Sequence, residues 1–405
     1  MNVLIKIAGR NIWRSQKRSL IIMTAVSIGL WAGIFMIAFY NGMIEERINS
    51  AITSELSHIQ LHHPMFRKEY EIKYELPEGR KILENISNSP DIKVSAGRMI
   101  IKGMMASAAG STGITINCIM PKEEQLLTKL PDKIIAGNYF DNNQTNQIII
   151  SKKISKKLKI NLNKKTILTF QDNQGNMASA AFRVCGIYKT SNGPYDDANV
   201  FVKIKTIDSL AGIPNSFNEI AILLKSNNTL DKNQKKLQQN LPTIEIKNWK
   251  EIAPELGLTV SVGNQMAYIL MGIILLALAF GIINTMMMSI LERTREIGML
   301  LALGMNKLKI FIMIVLETIF LILLGCPLGL LFAFSTIAIT NQRGIDFSKY
   351  SEVYSSFGYK SVIYPSLTLG QFGIVMLLIM FTALFSAVLP AIRALKINPA
   401  ESLKK

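Results

Sequence analysis

Four uninterrupted apolar runs, at residues 20–40, 266–291, 310–339 and 367–392, restrict the folds open to this chain. About 20 consecutive apolar residues cross a bilayer as a helix. In hydrocarbon only a helix or a closed barrel satisfies every backbone N–H and C=O internally. The runs predict an α-helical membrane protein with transmembrane helices at 19–41, 266–291, 310–339 and 367–392. The first run is longer than a signal-peptide core, and no small-residue cleavage site follows it at Tyr40-Asn41-Gly42. It reads as a retained anchor.

Orientation follows from basic residues beside the runs. Lys6, Arg10, Arg14, Lys17 and Arg18 precede the first. Arg293, Arg295, Lys307 and Lys309 lie between the second and third, and Arg393, Lys396, Lys404 and Lys405 follow the fourth. The 340–366 loop holds only Arg343, Lys349 and Lys360. Residues 1–18, 292–309 and 393–405 are therefore expected in the cytoplasm, and 42–265 and 340–366 outside. Lys6, Arg10, Arg14 and Arg18 recur every four residues, which predicts an amphipathic helix on the inner leaflet.

The net charge of +17 needs a location before it can be interpreted. Outside 42–265 there are sixteen basic and six acidic side chains; within it there are twenty-nine and twenty-two. The excess is concentrated beside the membrane, where anionic lipid headgroups attract it. Nucleic acid is not needed to explain it.

Segment 42–265 has a different texture. Short β-type runs recur at 59–61, 113–119, 147–150, 166–170, 182–187, 200–202 and 219–224, with a hairpin turn expected at Asp172-Asn-Gln-Gly-Asn176. Helical patterns fall at 79–88, 152–158 and 230–239. The segment reads as an extracytoplasmic α+β domain. At its ends, Met43, Ile44, Ile48, Ala51 and Ile52, and then Pro254, Leu256 and Val260, keep helical spacing towards the spans. Two helical stalks are expected there.

Between the second and third spans stands Glu292-Arg-Thr-Arg-Glu-Ile-Gly298, followed by Ala302-Leu-Gly304. Charged residues cluster at one end and apolar residues follow. The pattern predicts an amphipathic helix at the membrane surface, with Gly298 allowing close approach and Gly304 ending the helix. Glu317 lies inside the third run, where a charge is costly unless paired, and Arg393 is a candidate partner. Asn284 and Thr285 can hydrogen-bond across helices. Gly325 and Gly329 form a Gly-x-x-x-Gly pair suited to close helix packing, although Pro327 between them is expected to disturb the helix.

Other candidates are weaker. His58 and His62 share a strand face with Gln60, which suits a solvated face better than a metal site. Cys118 and Cys185 are small hydrophobes or a disulfide in an oxidising compartment. The lysine run at 152–165 reads as a solvated helix face, with contact to anionic headgroups or cargo as the alternative. No phosphate-binding Gly-Lys-Ser/Thr loop and no hydrolase or redox motif is present. Any ATP used must be bound by another chain.

The layout of one span, a large outer domain and three spans resembles the permease subunits of type VII ABC transporters, the MacB, LolC/LolE and FtsX relatives. The Glu292–Gly304 segment is similar to that family's coupling helix. Leu389-Pro-Ala-Ile-Arg-Ala394 with Asn398-Pro-Ala-Glu401 is similar to its closing segment. Within the family, Ser57-His-Ile-Gln-Leu61 looks most like the lipoprotein-releasing LolC/LolE branch. The short 172–177 turn departs from the longer hook that LolC carries there.

The resemblance implies a MacB-like periplasmic core domain on helical stalks, in a bacterial inner membrane. It also implies mechanotransmission without catalysis by this chain. The expected partners are two copies of a cytoplasmic ATPase holding ATP and Mg, a second permease (homodimer or paralogue), membrane lipids, and a lipoprotein with a periplasmic chaperone or adaptor. Glu292, Arg293, Thr294, Arg295, Glu296, Ile297, Gly298, Leu303 and Gly304 would couple to the ATPase. Asn284, Glu317, Gly325, Gly329 and Arg393 would serve span packing. Lipoprotein release is the expected function. MacB-like export of drugs or peptides, or FtsX-like signalling to a cell-wall hydrolase, are the alternatives.

Overall fold

The computed structural model describes residues 9–10, 13–14, 16–141, 144–212 and 216–396. Lys6, most of the expected 1–18 helix, the 398–401 motif, Lys404 and Lys405 lie outside the described residues. The chain divides into two compact units. A helical unit takes residues 1–44, 260–345 and 363–405, and a sheet unit takes 45–259 and 346–362.

The described residues of the helical unit form α1 (Gln16–Ala51, whose end lies in the sheet unit), α2 (Pro254–Glu292), α3 (Thr294–Ala302), α4 (Lys307–Arg343) and α5 (Leu369–Ala394). All but the short α3 are long and apolar enough to cross a membrane, with mean hydropathy of 2.3 to 2.6 in their most apolar stretches. The core between them is formed by Val26, Leu30 and Ile34 of α1, Ile282 of α2, Ile314 and Leu321 of α4, and Ile379 and Ala383 of α5.

Close packing of α4 on α1 depends on the glycine pair. A Cβ added at Gly325 would stand 2.9 Å from the Met23 carbonyl oxygen, and one at Gly329 2.7 Å from that of Ser27. Ser27 Oγ donates to the Gly325 carbonyl at 2.8 Å. Small residues thus let the two backbones touch, and one hydroxyl fastens them. Pro327, expected to disturb the helix, lies inside α4, which runs on through it. Asn284, expected in helix packing, is exposed on α2.

Among the described residues of the sheet unit, ten strands form one mixed sheet: β1 (Ile59–His62), β2 (Ile92–Ser107), β3 (Gly110–Ile119), β4 (Ile134–Gly137), β5 (Gln147–Ser151), β6 (Lys165–Gln171), β7 (Met177–Tyr188), β8 (Asn199–Lys203), β9 (Glu219–Leu224) and β10 (Glu245–Asn248). β2 organises it. Its first half pairs with β9, its second half with β6, and β3 runs along the other edge. The pairings β2–β3–β8–β5–β7–β6 return to β2 and close a six-stranded ring. Closure leaves those strands no free edge. Helices Gly79–Ser87, Lys152–Leu158 and Leu230–Asn240 pack in this unit.

The solvated strand face expected at His58 and His62 is corrected here, and the cysteines follow the small-hydrophobe reading. His58, Gln60 and His62 are buried rather than solvated. His62 Nε2 lies 3.1 Å from Glu219 Oε2, and His58 Nδ1 accepts from Leu224 N at 3.2 Å. Cys118 and Cys185 are separate thiols, not a disulfide. Cys118 is enclosed in the core, and Cys185 Sγ lies 3.4 Å from the Ile148 carbonyl oxygen.

Candidate functional site: the α2–α4 linker

The linker departs from a single helix over 292–309. Glu292 is the last residue of α2 and Arg293 turns the chain (φ −105°, ψ 15°) before α3 begins at Thr294. Thr294 Oγ1 donates to the carbonyls of Ile290 and Leu291 at 3.1 and 2.8 Å, so the end of α2 is capped by the linker itself. At the other end Gly304 takes φ +87°. Its N–H donates to Leu301 O at 3.1 Å, and that of Met305 to Leu300 O at 3.0 Å. This paired arrangement terminates a helix on a left-handed residue, for which glycine has no Cβ penalty. Asn306 then accepts from Leu308 N and starts α4.

The charged residues form a chain of contacts. Arg293 Nη1 sits 3.2 Å from each carboxylate oxygen of Glu317, which is only 5% exposed. Arg293 Nε reaches Glu296 Oε2 at 3.3 Å, and Glu296 Oε1 meets Arg14 Nη2 at 2.8 Å. The cation at Glu317 is Arg293, where the sequence suggested Arg393. Arg393 instead lines a cavity at the ends of α2 and α5 with Leu291, Thr294 and Lys396. The sequence signal was a carboxylate in an apolar run that needs a cation; which arginine supplies it depends on how the chain folds back across α3.

α3 therefore has two faces. Ile297 and Gly298 are buried in the helical unit, and Arg293 and Glu296 are tied into ion pairs. Gly298, expected to allow close approach, is buried. Glu292, Arg295, Met299, Leu303 and Gly304 are exposed, Leu303 by 85%. An apolar residue so open, between two helices of spanning length, is a surface available for protein contact. The sequence pattern predicted the helix but not which of its residues face inward.

Comparison with known proteins gives the family. The profile of the MacB-like periplasmic core domain matches residues 19–240, just over half the chain, and that of the FtsX-like permease C-terminal region matches 268–399. The chain belongs to the MacB/FtsX type of ABC transporter permeases. It is 23% identical to the ABC transporter permease YknZ of Bacillus subtilis, over 99% of this chain and 98% of that one. It is 31% identical to the macrolide export ATP-binding/permease protein MacB of Psychrobacter cryohalolentis, over 31% of this chain and 16% of that protein. Among solved structures, the extracellular domain of YknZ from Gram-positive bacteria aligns with 47% of this chain and 99% of that one, at 17% identity and TM-score 0.34. The permease is a membrane protein with a large extracytoplasmic α+β domain between its first and second long helices.

Proposed function

We propose that this permease works by mechanotransmission with a separate cytoplasmic ATPase, which supplies ATP and Mg binding. The two-faced α3 is the observation that carries this reading. Its inner face is locked to α4 through Arg293 and Glu317, so a push on its outer face is delivered to a spanning helix. Arg295, Met299 and Leu303 are the contact residues toward the ATPase, and Glu292 and Gly304 flank them. Arg293, Glu296, Ile297 and Gly298 hold the helix in place.

In this reading α1 and α2 serve as stalks. α1 continues to Ala51 beyond its apolar run, and α2 begins at Pro254 ahead of its own. Two permeases pair through their spans in the bacterial inner membrane, two ATPases bind beneath, and the extracytoplasmic domains act on cargo outside. Asn284 and the exposed apolar residues of α2, such as Ile273 and Phe280, suit the second permease or lipid. The cargo is amphipathic: a lipoprotein, as the Ser57–Leu61 lead-in suggests, with a chaperone or adaptor beyond the membrane. The similarity over 126 residues to proteins named for macrolide export supports a second reading, in which the cargo is a small amphipathic compound.

The test uses Leu303→Asp in the full chain expressed with its ATPase. Burying a charge without a partner at a docking surface costs about 2 kcal/mol or more, so ATPase co-purification should fall sharply while membrane insertion is unchanged. Undiminished co-purification would overturn the assignment of this face.

A further inference from the structure

The sheet unit contains a cavity of about 350 Å³ lined by three lysines, eight hydroxyl side chains and no carboxylate. Its lysines, Lys133, Lys189 and Lys360, come from three different segments. Among its hydroxyls, Ser54 lies just past the end of α1, Ser191 in the loop after β7, and Tyr359 in the stretch between α4 and α5. Ammonium groups only donate hydrogen bonds, and hydroxyls can all rotate to donate. The lining itself therefore offers hydroxyl acceptors but no anion to the lysines.

The nearby carboxylates have partners of their own, although Glu55 Oε1 is buried without a hydrogen bond, 3.6 Å from Arg47 Nη1. Glu46 pairs with Lys360, and Glu55 accepts from Asn192 Nδ2 at 2.8 Å. Lys133 Nζ donates to Ser54 Oγ at 2.8 Å and to the Thr128 carbonyl at 2.6 Å, which leaves one N–H unspent. Burial pulls its pKa down to about 8 against the opposing charges of Glu124 and Glu55, while Lys360 and Arg98 add to the fall. A bound anion would relieve that cost. Lys189 is exposed and makes no ion pair among the described residues. An adjoining cavity, which shares Lys189, Thr190 and Ser355, adds Lys152, Lys153 and Lys156 but also Asp196 and Glu352. Its mixed lining does not select an anion.

We propose that the Lys133–Lys189–Lys360 cavity binds a phosphate ester, as carried by an anionic lipid headgroup or a soluble phosphate compound. Tetrahedral oxygens can accept from several ammonium and hydroxyl donors at once, and charge-assisted bonds of this type are the strong ones. The proposal stands apart from the coupling reading, because the chain needs no ATPase to show it.

The full-length chain in detergent is titrated calorimetrically with inorganic phosphate and, separately, with short-chain phosphatidylglycerol, with phosphatidylcholine as the zwitterionic control. Saturable binding is expected with at least one of the two anionic probes. Lys189→Glu and Lys360→Gln should each weaken it about tenfold or more. Lys232→Glu, on the Leu230–Asn240 helix outside both cavities, should leave it unchanged. Response to phosphatidylglycerol alone would identify the lipid headgroup as the source, and response to phosphate alone a soluble ester. Lack of binding by both probes, equal binding of phosphatidylcholine, or equal weakening by Lys232→Glu would overturn the proposal.

Discussion

The Arg98 cluster of the sheet unit and the Arg293 cluster of the helical unit are built differently. In the sheet unit Arg98 grips Glu124 with two bonds, Nε–Oε2 at 2.9 Å and Nη2–Oε1 at 2.7 Å, and reaches Glu219 at 3.0 Å. Glu219 in turn meets His62. All four residues are less than a tenth exposed. In the helical unit the cluster is graded: the Glu317 side chain is 7% exposed, Arg293 19%, Glu296 35% and Arg14 73%. A closed cluster fixes strands relative to one another. A graded one ties a buried carboxylate, through a linker helix, to the surface. The first is a clamp and the second is suited to transmit displacement.

The largest effect should come from breaking the clamp. Arg98→Met leaves Glu124 and Glu219 buried without their cation and should cost about 3–5 kcal/mol, because an uncompensated buried charge is what makes such losses large. Thermal unfolding of the full chain in detergent should show a large drop in midpoint or loss of folded protein. Arg293→Met strips Glu317 of one cation, but the cluster opens to water and should lose about 3 kcal/mol at most. Its clearer signature should be ATPase activity no longer stimulated by cargo. Equal destabilisation by the two variants, with coupling intact in Arg293→Met, would dissolve the distinction.

A smaller, pH-dependent effect sharpens it. Burial pushes the Glu219 carboxyl up, but the hydrogen bond from His62 and the charge of Arg98 outweigh it and hold the pKa below the usual carboxylate range. A carboxyl whose folded pKa is depressed adds stability that is present above the unfolded value, near 4.5, and is lost as pH falls through the folded one. The stability difference between wild type and Glu219→Gln should therefore be constant at neutral pH. It should shrink by no more than about 1.4 kcal/mol per pH unit on acidification below that value. A difference that shrank already between pH 7 and 6 would place the titrating group elsewhere. Comparing the two proteins cancels the background from His58, which burial, aided by Lys93, holds down to about 4.

The two regions also differed in how far the sequence revealed them. The long helices were legible, because a bilayer demands runs that hydropathy detects directly. Strands β3, β5 and β9 showed through their apolar residues. β2, the longest strand, did not. Its centre from Ser95 to Ile101 is buried without alternation, so no period-two pattern marks it, and Gly97 and Arg98 break the apolar run. Gly97 is required because Phe217 occupies the space a side chain would need, with ring atoms 2.6–2.7 Å from any added Cβ. Neither ion cluster could be read from spacing. Arg98 and Glu219 are 121 residues apart, and Arg293 and Glu317 meet because the chain turns at Arg293 before α3 and at Gly304 after it. The linker motif announced a surface helix, but helix phase and tertiary contacts decided that Ile297 and Gly298 are buried and that Glu296 pairs with Arg293 and Arg14.

The central claim is that the exposed face of α3 carries the ATPase contact while its other face holds Glu317. Photo-crosslinking residues placed at Met299 and Leu303, and at the equally open Leu369 on α5 as control, test it in the assembled complex. Adducts with the ATPase should form from Met299 and Leu303 and be absent from Leu369. No adduct from either α3 position, or an equal yield from Leu369, would contradict the account.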